Sequence, residues 1–160
     1  MSYKFNIVTT FCLLSKLSLN LQSKDKTIKM GLFDNFFKGA DKEENSIKIN
    51  WVALTDKAQL EEILKISMTK PVLIFKHSTR CGISRMVLKN FESDYDIPET
   101  EIDMYFLDLL EYRTLSQDIS EKFKVMHQSP QVLVIKNGKA IYNDSHHSIT
   151  VEAIKEVMVK

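Results

Sequence analysis

From residue 47 onward, apolar positions recur in short, regular segments. Ile47, Ile49 and Trp51 alternate with polar residues, the two-residue period of a half-buried strand. Asp56 and Gln59 stand at capping-box separation and open a helix carrying Leu60, Ile63, Leu64 and Met68. Pro71-Val72-Leu73-Ile74-Phe75 is a short apolar run, which reads as a strand covered on both faces. Ile83, Val87 and Phe91 follow at i, i+4, i+8 and predict a helix that Asp96-Ile97-Pro98 closes. A strand is expected from Ile102 to Leu109, then a helix bearing Leu115, Ile119 and Phe123 behind a second capping-box pair, Thr114 and Gln117. Val132-Leu133-Val134-Ile135 and Ala140-Ile141-Tyr142 flank Asn137-Gly138, two residues that tolerate positive φ and so favour a tight hairpin. A last helix starts near Thr150, with Val151, Ile154, Val157 and Met158 on one face. The order β-α-β-α-β-α-β-β-α is that of an α/β domain with a mixed central sheet flanked by helices. Its early alternation implies parallel strands and its late hairpin antiparallel ones.

The first 46 residues differ from this pattern and read as an N-terminal extension to a domain spanning 47–160. Residues 1–29 hold Lys4, Lys16, Lys24, Lys26 and Lys29 against Asp25 alone, a net charge of +4 that leaves −3 for the remainder. A mis-assigned start before Met30, or a disordered tail, is the preferred reading. A degenerate export signal is the competing one, weakened by Lys16 inside the apolar stretch and by the lack of an Ala-x-Ala-like site. Phe33, Phe36 and Phe37 have the spacing of one helical turn, with a poorly ordered lead-in as the plainer reading. A chain of 160 residues, 44% hydrophobic, is long enough to bury a substantial core. The net charge of +1 gives no bulk electrostatic reason to bind nucleic acid, and no apolar run is long enough for stable membrane insertion. Cys12 and Cys81 are the only cysteines, which fits a reducing, cytoplasmic setting better than a disulfide scaffold.

Cys81 carries the chemistry. It follows the apolar strand and precedes the helix-like stretch within Phe75-Lys76-His77-Ser78-Thr79-Arg80-Cys81-Gly82-Ile83-Ser84. A helix N-terminus presents unpaired N–H groups and a partial positive charge, and a thiol there ionises more easily to its nucleophilic form. A cysteine in such a chain is often buried and inert. Here Ser78, Thr79 and Arg80 make the turn polar, Arg80 adds a positive charge, and Gly82 leaves one side open, all of which favour a reactive thiol. The fourth motif position is Ser84. A Cys-x-x-Ser forms mixed disulfides but closes no local intramolecular one, and Ser84 either supports the thiolate or is an ordinary first-turn residue. A second anchor is Ser129-Pro130, placed between a helix and the Val132 strand. Spacing alone favours a trans bond there, because cis accounts for only about 5–6% of X–Pro bonds.

A strand, a Cys-x-x-Ser at a helix start, a Ser-Pro before a hairpin and a closing helix together resemble the thioredoxin fold over residues 47–159. That resemblance implies a cis Pro130 packed against the active cysteine. More narrowly, the Cys81 segment, His127-Gln128-Ser129-Pro130-Gln131 and Ser145-His146 resemble the YtxJ family of monothiol bacilliredoxins, with the Trp51 segment and the Asn137-Gly138-Lys139 hairpin in keeping. Members of that family often carry Thr-Cys-Pro-Ile-Ser. Arg80 and Gly82 depart from it, and Gly82 moves the motif toward the Cys-Gly-x-Ser of monothiol glutaredoxins.

The resemblance implies a thiol–disulfide oxidoreductase that takes bacillithiol off protein mixed disulfides, with bacillithiol as thiol co-substrate and no metal. Cys81 and Ser84 would be catalytic, and Arg80, Gly82, Ser129, Pro130, Gln131 and His146 would line the substrate site. Its partners would be bacillithiolated proteins and a low-molecular-weight thiol, not nucleic acid. His77 either tunes Cys81 or is a hydrogen-bonded, partly buried histidine. His127 falls near the cleft by the same resemblance. His146 and His147 are adjacent, so on a strand they face opposite ways and share one ion poorly. Two other classes stay open: a cluster carrier of the monothiol glutaredoxin kind, and a non-enzymatic stress adaptor. Against the first, the chain lacks that family's Gly-Gly pair and Cys-Asp-Asp; the second would tolerate loss of Cys81.

Overall fold

A computed structural model describes residues 48–159. The elements run β1 (Val52–Ala53), α1 (Ala58–Ile66), β2 (Val72–His77), α2 (Gly82–Asp94), β3 (Asp103–Asp108), α3 (Arg113–Phe123), β4 (Gln131–Lys136), β5 (Lys139–Ser145), a 3-10 turn (His146–Ser148) and α4 (Val151–Val159). The five strands form one sheet in the order β1-β3-β2-β4-β5. β1 and β2 pair parallel with β3, whereas β4 pairs antiparallel with β2 and β5. The α/β mixed sheet expected from the sequence is the observed fold.

β2 shows why the sheet sits at the centre. All six of its residues are buried, and alternate side chains enter opposite layers. Leu73 and Phe75 join Val87, Leu88 and Phe91 of α2 and Val151 and Ile154 of α4. Val72 and Ile74 join Leu60 and Ile63 of α1 and Leu115 and Ile119 of α3. Two helices thus cover each face, and each layer removes large aliphatic and aromatic side chains from water, worth about 1.5–3 kcal/mol apiece before entropy is counted.

Two local signals read from the sequence take effect. The Asp56–Gln59 box forms reciprocally, the Gln59 N–H donating to Asp56 Oδ1 at 3.0 Å and the Asp56 N–H to Gln59 Oε1 at 3.1 Å. Asn137 and Gly138 both adopt positive φ, 52° and 72°. Their N–H groups are caught by the carbonyl and hydroxyl of Ser67 just past α1, at 2.7 and 3.0 Å.

Three expectations need correction. The strand begins at Val52, not earlier: among the described residues Ile49 and Trp51 pack against the core without joining the ladder, and Ile47 lies outside those residues. Met68 falls beyond α1 and is exposed. The Thr114–Gln117 box does not form, because α3 already starts at Arg113 and its capping residue is Tyr112. The readings made for residues 1–46, Cys12 included, also lie outside the described residues. No helix among those described is long and apolar enough to cross a membrane.

Candidate active site

The carboxyl ends of β2 and β3 and the start of β4 meet at one pole of the sheet, where His77 pairs with Asp108 and Lys76 with Gln131. The chain leaves β2 through Ser78, Thr79 and Arg80 and turns into α2 at Cys81. Cys81 is the N-cap residue of α2, extended at φ −94° and ψ 121°. Its N–H donates to the Ser78 carbonyl at 3.0 Å and its own carbonyl accepts the Arg85 N–H at 3.1 Å. The side chain is partly exposed and unbridged. The sulfur therefore stands at the mouth of a 13-residue helix, where the unpaired N–H groups of the first turn favour an anion.

The other residues named from the sequence divide into those facing solvent and those serving as scaffold. Arg80 and Gly82 are exposed beside Cys81. A Cβ at Gly82 would meet nothing within 4 Å, so the approach is open on that side. Ser84, in contrast, is fully buried. Its Oγ accepts the Ser78 N–H at 3.0 Å and meets His77 Nδ1 at 2.9 Å. Its partners are thus the turn and the strand end, and no hydrogen bond joins it to Cys81. His77 is buried as well, with its ring 5.4 Å from that of Phe106. Burial lowers its pKa, the Asp108 charge opposes that shift, and the Arg85 charge adds to it. The Ser84–His77 hydrogen bond gives both groups a partner in the interior.

The Ser129–Pro130 bond is cis, as the resemblance implied, and Pro130 is buried at the head of β4. Its carbonyl accepts the His146 N–H at 3.1 Å. His146 reaches it by adopting a left-handed φ of 57° at the start of the 3-10 turn, and that turn packs against α2. The imidazoles of His146 and His147 are exposed. Ser129 Oγ is the one buried side-chain oxygen or nitrogen without a partner among the described residues. His127 is exposed, its Nδ1 2.9 Å from Ser116 Oγ. Its pKa is lowered by partial burial first, then by the charges of Lys76 and Arg113. Gln131 is only 1% exposed and its carboxamide is committed inward.

The sequence pattern assigns Lys76 no role. It is 0% exposed, and burial pushes its pKa down to about 8. Its Nζ donates to Gln131 Oε1 at 2.7 Å. The available signal was a lysine inside a strand otherwise covered on both faces, but its polar partner lies 55 positions away and periodicity does not reveal it.

The geometry offers one accessible thiol on a helix N-terminus and a cis proline at the head of β4, with no second cysteine among the described residues. Comparison with known proteins agrees. A solved structure described as having a thioredoxin fold is 30% identical over 67% of this chain and 92% of its own, with a TM-score of 0.58. The thioredoxin of Malassezia sympodialis (19% identity, 67% and 86% covered, TM-score 0.52) and thioredoxin f of spinach chloroplast (15%, 72% and 96%, TM-score 0.51) share the fold. The family model of the monothiol bacilliredoxin BrxC matches residues 52–154. The fold is thioredoxin-like, the function is thiol redox chemistry, and the chain belongs to the monothiol bacilliredoxin BrxC family.

Proposed function

We propose that this protein removes bacillithiol from protein cysteines by monothiol exchange at Cys81. The observation that carries the reading is the pairing of an accessible Cys81 at the N-cap of α2 with a serine at position 84 whose hydroxyl is bound to Ser78 and His77. In the first step the Cys81 thiolate attacks the bacillithiol sulfur of the mixed disulfide. The old S–S bond breaks, the target cysteine leaves as a thiolate and takes a proton from water, and Cys81 holds bacillithiol in a new disulfide. A second bacillithiol thiolate then attacks that sulfur of the adduct, giving bacillithiol disulfide and free Cys81. Electrons come from the small thiol, and each step exchanges one S–S bond for another.

Cys81 is the nucleophile, and Ser84 acts in catalysis by fixing the turn from which it projects. Arg80, Gly82 and His146 form the exposed rim that substrate meets. Ser129 and Pro130 present backbone to the target strand, and Gln131 supports them from below. A cytoplasmic setting follows, since the cycle needs Cys81 reduced at rest.

Intact-mass spectrometry tests this. The protein is mixed with a substrate carrying a bacillithiol mixed disulfide and, in parallel, with its glutathione equivalent. A bacillithiol-sized adduct on Cys81 with release of reduced substrate is expected. Preference for glutathione would overturn the choice of thiol, and no adduct with either would overturn monothiol exchange.

A further inference from the structure

Lys76 is the most anomalous group in the domain. A buried ammonium with no carboxylate partner among the described residues is costly, and a methionine would fill similar space without that cost. What the lysine does is visible in its single acceptor. An ammonium only donates, so Gln131 must turn its carbonyl oxygen toward Nζ, at 2.7 Å. That choice fixes the other end of the amide. Gln131 Nε2 donates to the Met126 carbonyl at 2.8 Å, while Oε1 also accepts the Gln128 N–H at 3.3 Å. The lysine thus acts with the Met126 carbonyl and the Gln128 N–H to set which way the amide faces, and the amide ties down both Met126 and Gln128.

The ties continue around the cis proline. The Ser145 hydroxyl donates to Gln128 Oε1 at 2.6 Å, and the next residue, His146, donates its N–H to the Pro130 carbonyl. Lys76, Gln131, Gln128 and Ser145 therefore form a chain of bonds from the central strand to the edge strand. It encloses Met126 to Pro130, a loop that ends at the cis proline heading β4 and that exposes Met126 and His127.

We propose that Lys76 is a positioning residue that holds the Met126–Pro130 loop, through the Gln131 carboxamide, in the conformation that receives the protein substrate. This rests on the reading of Cys81 as the exchange centre. Lys76 touches neither substrate nor sulfur in this role; it acts on affinity for the capped protein, not on the intrinsic reactivity of the thiol.

The test compares the full chain with K76M and with K76M/Q131M, which removes both polar partners at once. Three quantities are read: KM and kcat for a bacillithiolated protein, and the rate of Cys81 alkylation by iodoacetamide. Both variants are expected to raise KM about tenfold, with kcat and the alkylation rate within about twofold of wild type. A purely structural lysine would instead lower kcat and alkylation together with the folded fraction and leave KM alone, which would overturn the inference. Failure of both variants to fold would overturn it too, because the lysine would then be holding the fold itself. An inactive wild type would sink the exchange reading; an active wild type with unchanged KM in the variants would sink only the role of Lys76.

Discussion

Ser84 Oγ and His77 Nδ1 lie 2.9 Å apart beneath the first turn of α2, joining the end of β2 to the helix that carries Cys81. The same hydroxyl accepts the Ser78 N–H, so one side chain closes the loop from both directions. Position 84 is where a dithiol protein would carry its second sulfur. Here that position has become a fastening for the turn. S84A strands a backbone N–H and a ring nitrogen in the interior, and a loss of about 1–3 kcal/mol is expected in urea denaturation. Unchanged stability would show that water replaces the hydroxyl without penalty.

The His77 ring gives this fastening an acid limit. Burial holds its pKa below the ordinary 6.5. Below 6.5 the unfolded chain takes up a proton that the folded chain refuses, so stability is full above that value and falls as pH drops toward the folded pKa. His127 is shifted the same way and adds to the slope. Urea midpoints from pH 7.5 to 5 should fall more steeply for wild type than for H77N. Parallel curves would mean that His77 titrates normally in the folded protein.

Lys76 gives a dependence on the alkaline side. Its folded pKa of about 8 lies below the ordinary 10.5. Between these values the unfolded chain holds the extra proton, so stability rises with pH across the window, by on the order of 3 kcal/mol at most. Tyr95 and Tyr142, both pushed up to about 12 by burial, act with the opposite sign above pH 10. They are common to wild type and K76M and cancel in the difference. The stability of wild type relative to K76M should therefore climb from pH 8 to 10.5. A flat difference would mean that Lys76 stays charged at no cost.

Cys81 occupies a position that serine fills better by helix chemistry alone. It makes no side-chain capping bond, whereas a serine hydroxyl caps well. C81S should abolish adduct formation while matching wild-type stability or exceeding it by up to about 1 kcal/mol. A variant that kept exchange activity would move the nucleophile elsewhere, with Cys12 the remaining thiol in the sequence.

The division between what was legible in the sequence and what was not follows contact distance along the chain. The Asn137-Gly138 turn and the Asp56–Gln59 box depend on neighbours and were readable as written. So was the helix start at Cys81, since the strand, polar turn and helical spacing adjoin one another. The alternation at Ile49 and Trp51 misled because apolar packing, and not ladder pairing, satisfies those residues: Trp51 Nε1 donates to Glu92 of α2 instead. Thr114 looked like a cap because its spacing to Gln117 is right, but the chain enters α3 one residue sooner. The cis bond at Pro130 was reached through family resemblance, since spacing favours trans. The commitments of Ser84 and Lys76 depended on where a loop folds back and which strand lies alongside, and local pattern carries neither.

The packing of Trp51 has a spectroscopic consequence. It is the only tryptophan in the chain, and its ring lies 5.9 Å from Phe75, 6.3 Å from Phe91 and 5.7 Å from Phe106. Glu92, its hydrogen-bond partner, is about 16 Å along the helix axis from Cys81 at 1.5 Å per residue. Its fluorescence therefore senses whether α2 is docked on the sheet and is remote from the sulfur at the other end. The protein carries an optical gauge of its own folding, set at the far end of α2 from the proposed exchange at Cys81.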